Sequence, residues 1–432
     1  MMSHSQKDPA RKIVPLVFIT VLIDMLGIGI LIPVIPQLFT NPQSPHYILA
    51  STAYGESGYF LVGLLLALYA SGMFLASPIF GELSDRYGRK KMLSLALAGG
   101  AASYALFAVG VAIQNIPLLI FARVTGGLSA GNIGIAQAII ADITPPALRA
   151  GRFGLIGAAF GIGFILGPSL GGVLSNPKGL GFFGAATPFW FSALLAGVNV
   201  LWVLFVLPET NKHIQIVYGQ AACPDTALVT RQLFRKLSLL RSFANIAKAF
   251  RPSKLRALFG VNFLFQAGFS FYTSFLGVLL VYRFAMSEVD IGTYFSFVGI
   301  FIVLTQGLVT RPVTARFSEK QILRLTIPAV SLIIIMIALA PTETALYFIA
   351  PFFAVAVGLS MANLTSAVSR RAGDTIQGEV LGINSSVNAL AQAFPPLLGG
   401  VIATLSTPAT ALLVGATAVA FAAYGYKHVT HD

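Results

Sequence analysis

Charge is scarce in this sequence. Only 10% of its 432 residues are Asp, Glu, Lys or Arg, while 56% are hydrophobic. A soluble chain of this length needs far more surface charge. A single cysteine, Cys223, rules out a disulfide within the chain, and with no histidine beside it the thiol is not a metal site. No GxxxxGK[ST] run occurs, which excludes a built-in P-loop ATPase. Nothing in the pattern calls for a cofactor, and none is expected.

What the chain has instead is apolar blocks of about 20 residues, the length that crosses a bilayer core. They predict an all-α polytopic membrane protein with twelve spans, at 13–37, 58–80, 92–113, 117–140, 153–175, 187–208, 257–282, 291–311, 322–341, 344–366, 378–404 and 408–426. The first run is too long for a secretory signal and has no small-residue cleavage site after it, so it reads as a retained helix. The formal net charge is +13. Its distribution argues for topology rather than a nucleic-acid partner, since alternate loops starting from the N-terminus hold almost all the Lys and Arg. The opposite loops hold only Lys178 and Arg283. That bias predicts a cell (inner) membrane protein with both termini cytoplasmic, its basic face suited to an anionic leaflet.

The stretch Ile13–Phe39 carries one charge before its end, Asp24. At ~1.5 Å per residue the carboxyl sits ~16 Å deep, near the middle of a ~30 Å core. A charged Asp there costs at least ~2.5–3.5 kcal/mol. It must be neutral, paired with a cation, or turned to water inside the bundle. Each option suits a carboxyl that gains and loses a proton; the alternative is a tolerated polar residue in a helix contact.

The sequence repeats itself. Gly127-Leu128-Ser129-Ala130-Gly131-Asn132 recurs as Gly358-Leu359-Ser360-Met361-Ala362-Asn363, and Gly171-Gly172 recurs as Gly399-Gly400. Ser84-Asp85-Arg86-Tyr87 has a decayed echo in Thr314-Ala315-Arg316-Phe317. This divides the chain into halves at 1–208 and 257–432, joined by a segment at 209–256. Such repeats build transporters whose small-molecule site lies between the halves. Within the linker, 228–250 reads either as a basic amphipathic helix on the membrane surface or as a partly disordered connector.

Four groups of residues carry the chemistry. After the second span, Gly81, Asp85, Arg86, Gly88 and Arg89 form a loop in which the glycines permit a tight turn. Asp85 is placed to receive backbone N–H groups of a neighbouring helix, and Arg86 to reach Asp142, latching the halves. In the fourth span Arg123 is a buried cation that wants a carboxylate or carbonyl partner. Gly127, Gly134 and Gln137 share its face. One reading has it aid proton release from Asp24, the other makes it structural. In the fifth span Gly163, Gly167 and Gly171 form a flat ridge, with Pro168 able to bend the helix. This suits a moving interface or ordinary small-residue packing. Finally, Asn262, Gln266, Ser270 and Thr273 stripe the seventh span, and Gln377, Asn384, Asn388 and Gln392 the eleventh. These line a substrate cavity or bond one another across helices.

The order Gly81-Glu82-Leu83-Ser84-Asp85-Arg86-Tyr87-Gly88-Arg89 resembles the signature loop of the major facilitator superfamily. Arg123 within LIFARVTGGLSAG resembles that family's buried arginine motif. Gly163 through Gly167, Pro168, Gly171 and Gly172 resemble the motif that marks its drug:proton antiporters. Ile140-Ala141-Asp142 and Leu207-Pro208-Glu209-Thr210 are similar to the tetracycline-exporter branch. The resemblance implies the family's twelve-helix fold in two pseudo-symmetric six-helix halves. It also implies proton-coupled antiport that exports a small amphipathic or drug-like molecule, with protons, substrate and lipid as partners, and a monomer. A facilitator, symporter or flippase is the alternative. The chain lacks the further membrane carboxylates and the histidine that tetracycline exporters carry. Ala315 replaces the acidic residue in the second loop.

Overall fold

The computed structural model describes residues 10–50, 57–144, 146–176, 183–211, 241–249, 255–371 and 377–429. Among them twelve helices are long and apolar enough to cross a membrane, and no strand occurs. The spans run Lys12–Thr40, Gly58–Tyr87, Arg89–Ala112, Ile116–Ile143, Leu155–Ser175 and Thr187–Val206 in the first half. In the second they run Arg256–Phe284, Glu288–Arg316, Glu319–Ala338, Glu343–Val368, Ile383–Leu405 and Pro408–His428. Cys223 and residues 228–240 of the linker lie outside the described residues. Arg241–Ala249 is helical. It packs on spans two and eleven, with the Phe243 ring edge-on to Phe74 at 5.4 Å, and so touches both halves.

The halves meet along span pairs one–seven, two–eleven and five–eight. Hydrogen bonds cross the seam toward the end of the bundle opposite the chain termini. Gln37 Nε2 donates to the Met286 carbonyl at 2.6 Å, Ser169 and Ser296 share a 2.7 Å bond, and Ser296 also donates to the Ile165 carbonyl. His46 Nε2 sits 2.7 Å from the Ser175 carbonyl and 4.0 Å from Glu288. Small residues allow the backbones this close.

The glycine ridge of the fifth span turns toward the first span of its own half. A Cβ added at Gly163 or Gly171 would collide with Met25 or the Ile30 backbone, and one at Gly167 would lie 2.7 Å from Gly29 Cα. The opposite face of the same helix makes the contact with the other half. There Gly172 abuts the Glu288 carbonyl, and Gly292 abuts that of Pro168. The helix Pro146–Ser175 continues through Pro168.

Two local expectations need correction. Gly81–Tyr87 is not a loop: it forms the last turns of the second helix, and only Gly88, at φ 104°, makes the turn. That left-handed backbone favours glycine. The fourth span is also not one helix. It stops at Ser129, turns through Ala130 and Gly131, and resumes at Asn132–Ile143.

Candidate transport site

The break in the fourth span explains how Asp24 is held. Asn132 opens the second helical piece, and its side chain is the hydrogen-bond partner of Asp24. The interruption creates a second helix start, where negative charge is favoured, and the Asn132 side-chain oxygen accepts from the Ile133 N–H there at 2.9 Å. Irregular backbone at membrane depth persists where protein or a cavity satisfies it. Here Gly131 presses on the Phe80 ring, leaving no room for a Cβ. Asp24 is partly buried, whereas its neighbour Met25 is fully so.

Arg123 lies on the first piece of the same span and is 7% exposed. Its guanidinium carbon sits 4.9 Å from the centre of the Phe107 ring and 5.7 Å from that of Tyr69. Its buried Nε has no hydrogen-bond partner, and no carboxylate among the described residues pairs with it. The structure thus does not join Arg123 to Asp24; the two share only the electrostatic neighbourhood of Tyr69 and Tyr104. Gly127, Gly134 and Gln137 do not continue one face, because the break reorients the chain: Arg123 is buried and Gln137 exposed.

A cavity of about 110 Å³ opens between the halves. Spans one, two, four and seven line it, with Ile32, Ile35, Leu66, Tyr69, Arg123 and Thr273 among its walls. None of the expected cavity residues Gln137, Asn262, Gln266, Ser270, Asn384, Asn388 and Gln392 lines it. Three of them are satisfied by one another. Asn262 Nδ2 donates to Asn384 Oδ1 at 2.9 Å and to Asn388 Oδ1 at 2.6 Å, tying spans seven and eleven together. Ser270 is buried, while Gln392 is exposed.

At the end carrying the termini, the charged cluster also differs from expectation. Arg89, not Arg86, reaches Asp142: Nε to Oδ2 is 3.0 Å, and the same guanidinium holds Asp85 at 2.6 Å. Arg86 instead pairs with Glu82 one turn back. The acid that caps the third helix is Glu209 rather than Asp85, accepting from the Arg89 and Lys90 backbone at 2.9 and 3.2 Å. Asp85, Arg89 and Asp142 all sit in the first half, so in this conformation their contacts do not cross to the second. Gly81 has open space around it.

Sequence reasoning missed Asn132 as a partner of Asp24 and Glu209 as a cap. The repeated Gly-Leu-Ser motif ending in Asn was the available signal for the first. The Leu-Pro-Glu-Thr close of the sixth span was the signal for the second.

A family model described as Major Facilitator Superfamily matches residues 17–396. The chain belongs to the Major Facilitator Superfamily. Within it, the chain resembles the tetracycline-exporter branch. It is 31% identical over 383 residues to a tetracycline resistance protein, class C, from Escherichia coli, covering 88% of this chain and 86% of that one. Multidrug resistance protein 2 of Bacillus subtilis is 26% identical over 391 residues, covering 89% and 87%. Among solved structures, the human organic anion transporter MFSD10 (TETRAN) superposes with a TM-score of 0.69 at 26% identity, covering 97% of this chain and 99% of that one. The chain is a membrane transporter of small molecules, and not an enzyme.

Proposed function

We propose that this transporter exchanges protons for a small, partly apolar molecule and exports it by alternating access. The observation that carries the reading is Asp24. It is an acid at mid-membrane depth, bound by the neutral amide of Asn132, with no cation paired to it among the described residues, and it is only partly buried. An acid so placed can be loaded and unloaded as the halves rock, and each orientation offers its own proton affinity. The tetracycline and multidrug resistance relatives support export of drug-like molecules. The organic anion transporter supports a second reading, in which the cargo is acidic.

Under this proposal the face carrying the termini is cytoplasmic and the membrane is the cell (inner) membrane, with the protein acting as a monomer. The cluster of Asp85, Arg89 and Asp142 then acts as a latch only when span eleven or its neighbours approach it in another orientation. Gly163, Gly167, Pro168, Gly171 and Gly172 hold the fifth span between the first and the eighth as the halves move.

The test is substrate-evoked proton movement in a weakly buffered suspension of proteoliposomes, using tetracycline, ethidium and 1-naphthoate as trial cargoes. Cargo added outside is predicted to acidify the suspension, as protons leave the vesicles in exchange; alkalinisation means that protons enter with the cargo and contradicts antiport. Cargo flux with no pH change contradicts it and points to a facilitator.

A further inference from the structure

Proton exchange at Asp24 makes no use of Arg123. A guanidinium keeps its charge and presents five donors in a planar fork. This one is 93% buried, with an orphaned Nε, the faces of Phe107 and Tyr69 against it, and no carboxylate paired with it among the described residues. Those aromatic contacts attract a cation but satisfy none of its donors in the plane. A buried charge without an ionic or hydrogen-bonded partner is costly, and such sites are completed by a counter-ion. Arg123 also forms part of the wall of the cavity between the halves. The rest of that wall is apolar along Ile32, Ile35 and Leu66, with the hydroxyls of Thr273 and Ser274 supplied by the seventh span.

We infer that Arg123 is the recognition residue for an anionic group on the cargo. The molecule carried is a compact organic anion, a carboxylate or sulfonate on an aromatic or aliphatic body. Its acidic group lies on the Arg123 fork and its body runs along the Ile32–Ile35 wall. Planar bidentate pairing favours oxyanions over halides, and a cavity rimmed by one buried cation disfavours cationic drugs. This deepens the transport reading above and rests on it.

The test is thermal stabilisation of the purified full-length protein by matched triads: benzoate, 1-naphthoate and 4-biphenylcarboxylate, each with its neutral amide and its arylmethylammonium analogue. The inference predicts that at least one carboxylate stabilises the protein, while its amide and ammonium counterparts do so only at roughly ten- to hundredfold higher concentration. Arg123→Gln removes the carboxylate's advantage, and Arg123→Lys restores part of it. Equal stabilisation by all members of each triad, an ammonium preference, or no stabilisation by any carboxylate overturns it, and this arm uses wild-type protein should Arg123→Gln fail to fold. Carboxylate binding undiminished in Arg123→Gln also overturns it. Repeating the titration on Asp24→Asn reports on coupling separately. Tighter anion binding there means that proton and anion travel together, which contradicts antiport and leaves the Arg123 assignment standing.

Discussion

At Asn132 the first half breaks its fourth span and turns an amide toward Asp24. At Asn363, 231 residues on in the same repeated motif, the second half keeps the helix whole, and the amide donates to Leu359 of its own helix at 2.8 Å. The same contrast recurs at the charged end. The first half gathers Asp85, Arg89, Asp142 and Glu209 around one turn. The second half, with Ala315 in the acidic place, closes its turn with a neutral capping box between Ser318 and Gln321. Its ion pair there, Arg370 to Glu319 at 2.8 Å, is largely exposed on the arginine side. Both copies keep the helical scaffold; the first carries the ionisable groups inside the membrane, and the second offers amides that bond one another. A duplicated scaffold can thus divide labour, one half holding the charge that is switched and the other the surface against which it moves.

Matched substitutions sharpen this difference. The largest effect is expected at the glycines. Gly171→Ala forces a methyl onto the rigid Ile30 backbone, whereas Gly399→Ala meets the Phe275 and Phe271 rings. Overpacking against backbone is predicted to cost about 3 kcal/mol and against the rings about 1 kcal/mol, read as midpoints of denaturation in detergent. Equal losses would mean that the first–fifth span seam is no tighter than its counterpart. Next comes the turn: Arg89→Ala should lose about 2 kcal/mol by abandoning Asp85 and Asp142, discounted for the partial exposure of both acids. Arg316→Ala, exposed in the second copy, should change stability by less than about 0.5 kcal/mol. Comparable losses would erase the asymmetry.

Asn132→Ala should slow proton-coupled transport about tenfold and alter its pH profile, through loss of one charge-assisted bond. Asn363→Ala should leave the pH profile where it was. The smallest effect is expected in the amide trio. Asn388→Leu leaves one Asn262 N–H unpaired and should cost about 1 kcal/mol, with transport retained. Loss of transport in that variant would return the trio to the cargo site.

The spans could be read from sequence because length and hydropathy alone decide whether a helix can sit in lipid. The acid was legible for the same reason: Asp24 is an expense in an apolar run and demands a cause. What could not be read was direction. Arg86 and Arg89 stand three residues apart, and which one faces Asp142 depends on where the second helix ends, a point decided by the backbone of Gly88. The amides of Asn262, Asn384 and Asn388 show the helical spacing of a cavity stripe, yet the same spacing lets them bond to each other. The break after Ser129 left no mark stronger than Ala130-Gly131, small residues that elsewhere in this chain sit comfortably within helices. The glycine ridge was visible, but a ridge names no partner, and it faces the first span.

Transport by reconstituted Asp24→Asn protein, measured in two modes on one preparation, tests the central claim most directly. The account predicts that cargo exchange between the two sides without a pH gradient persists, while accumulation driven by a pH gradient disappears. Accumulation at the wild-type level in Asp24→Asn vesicles would contradict it.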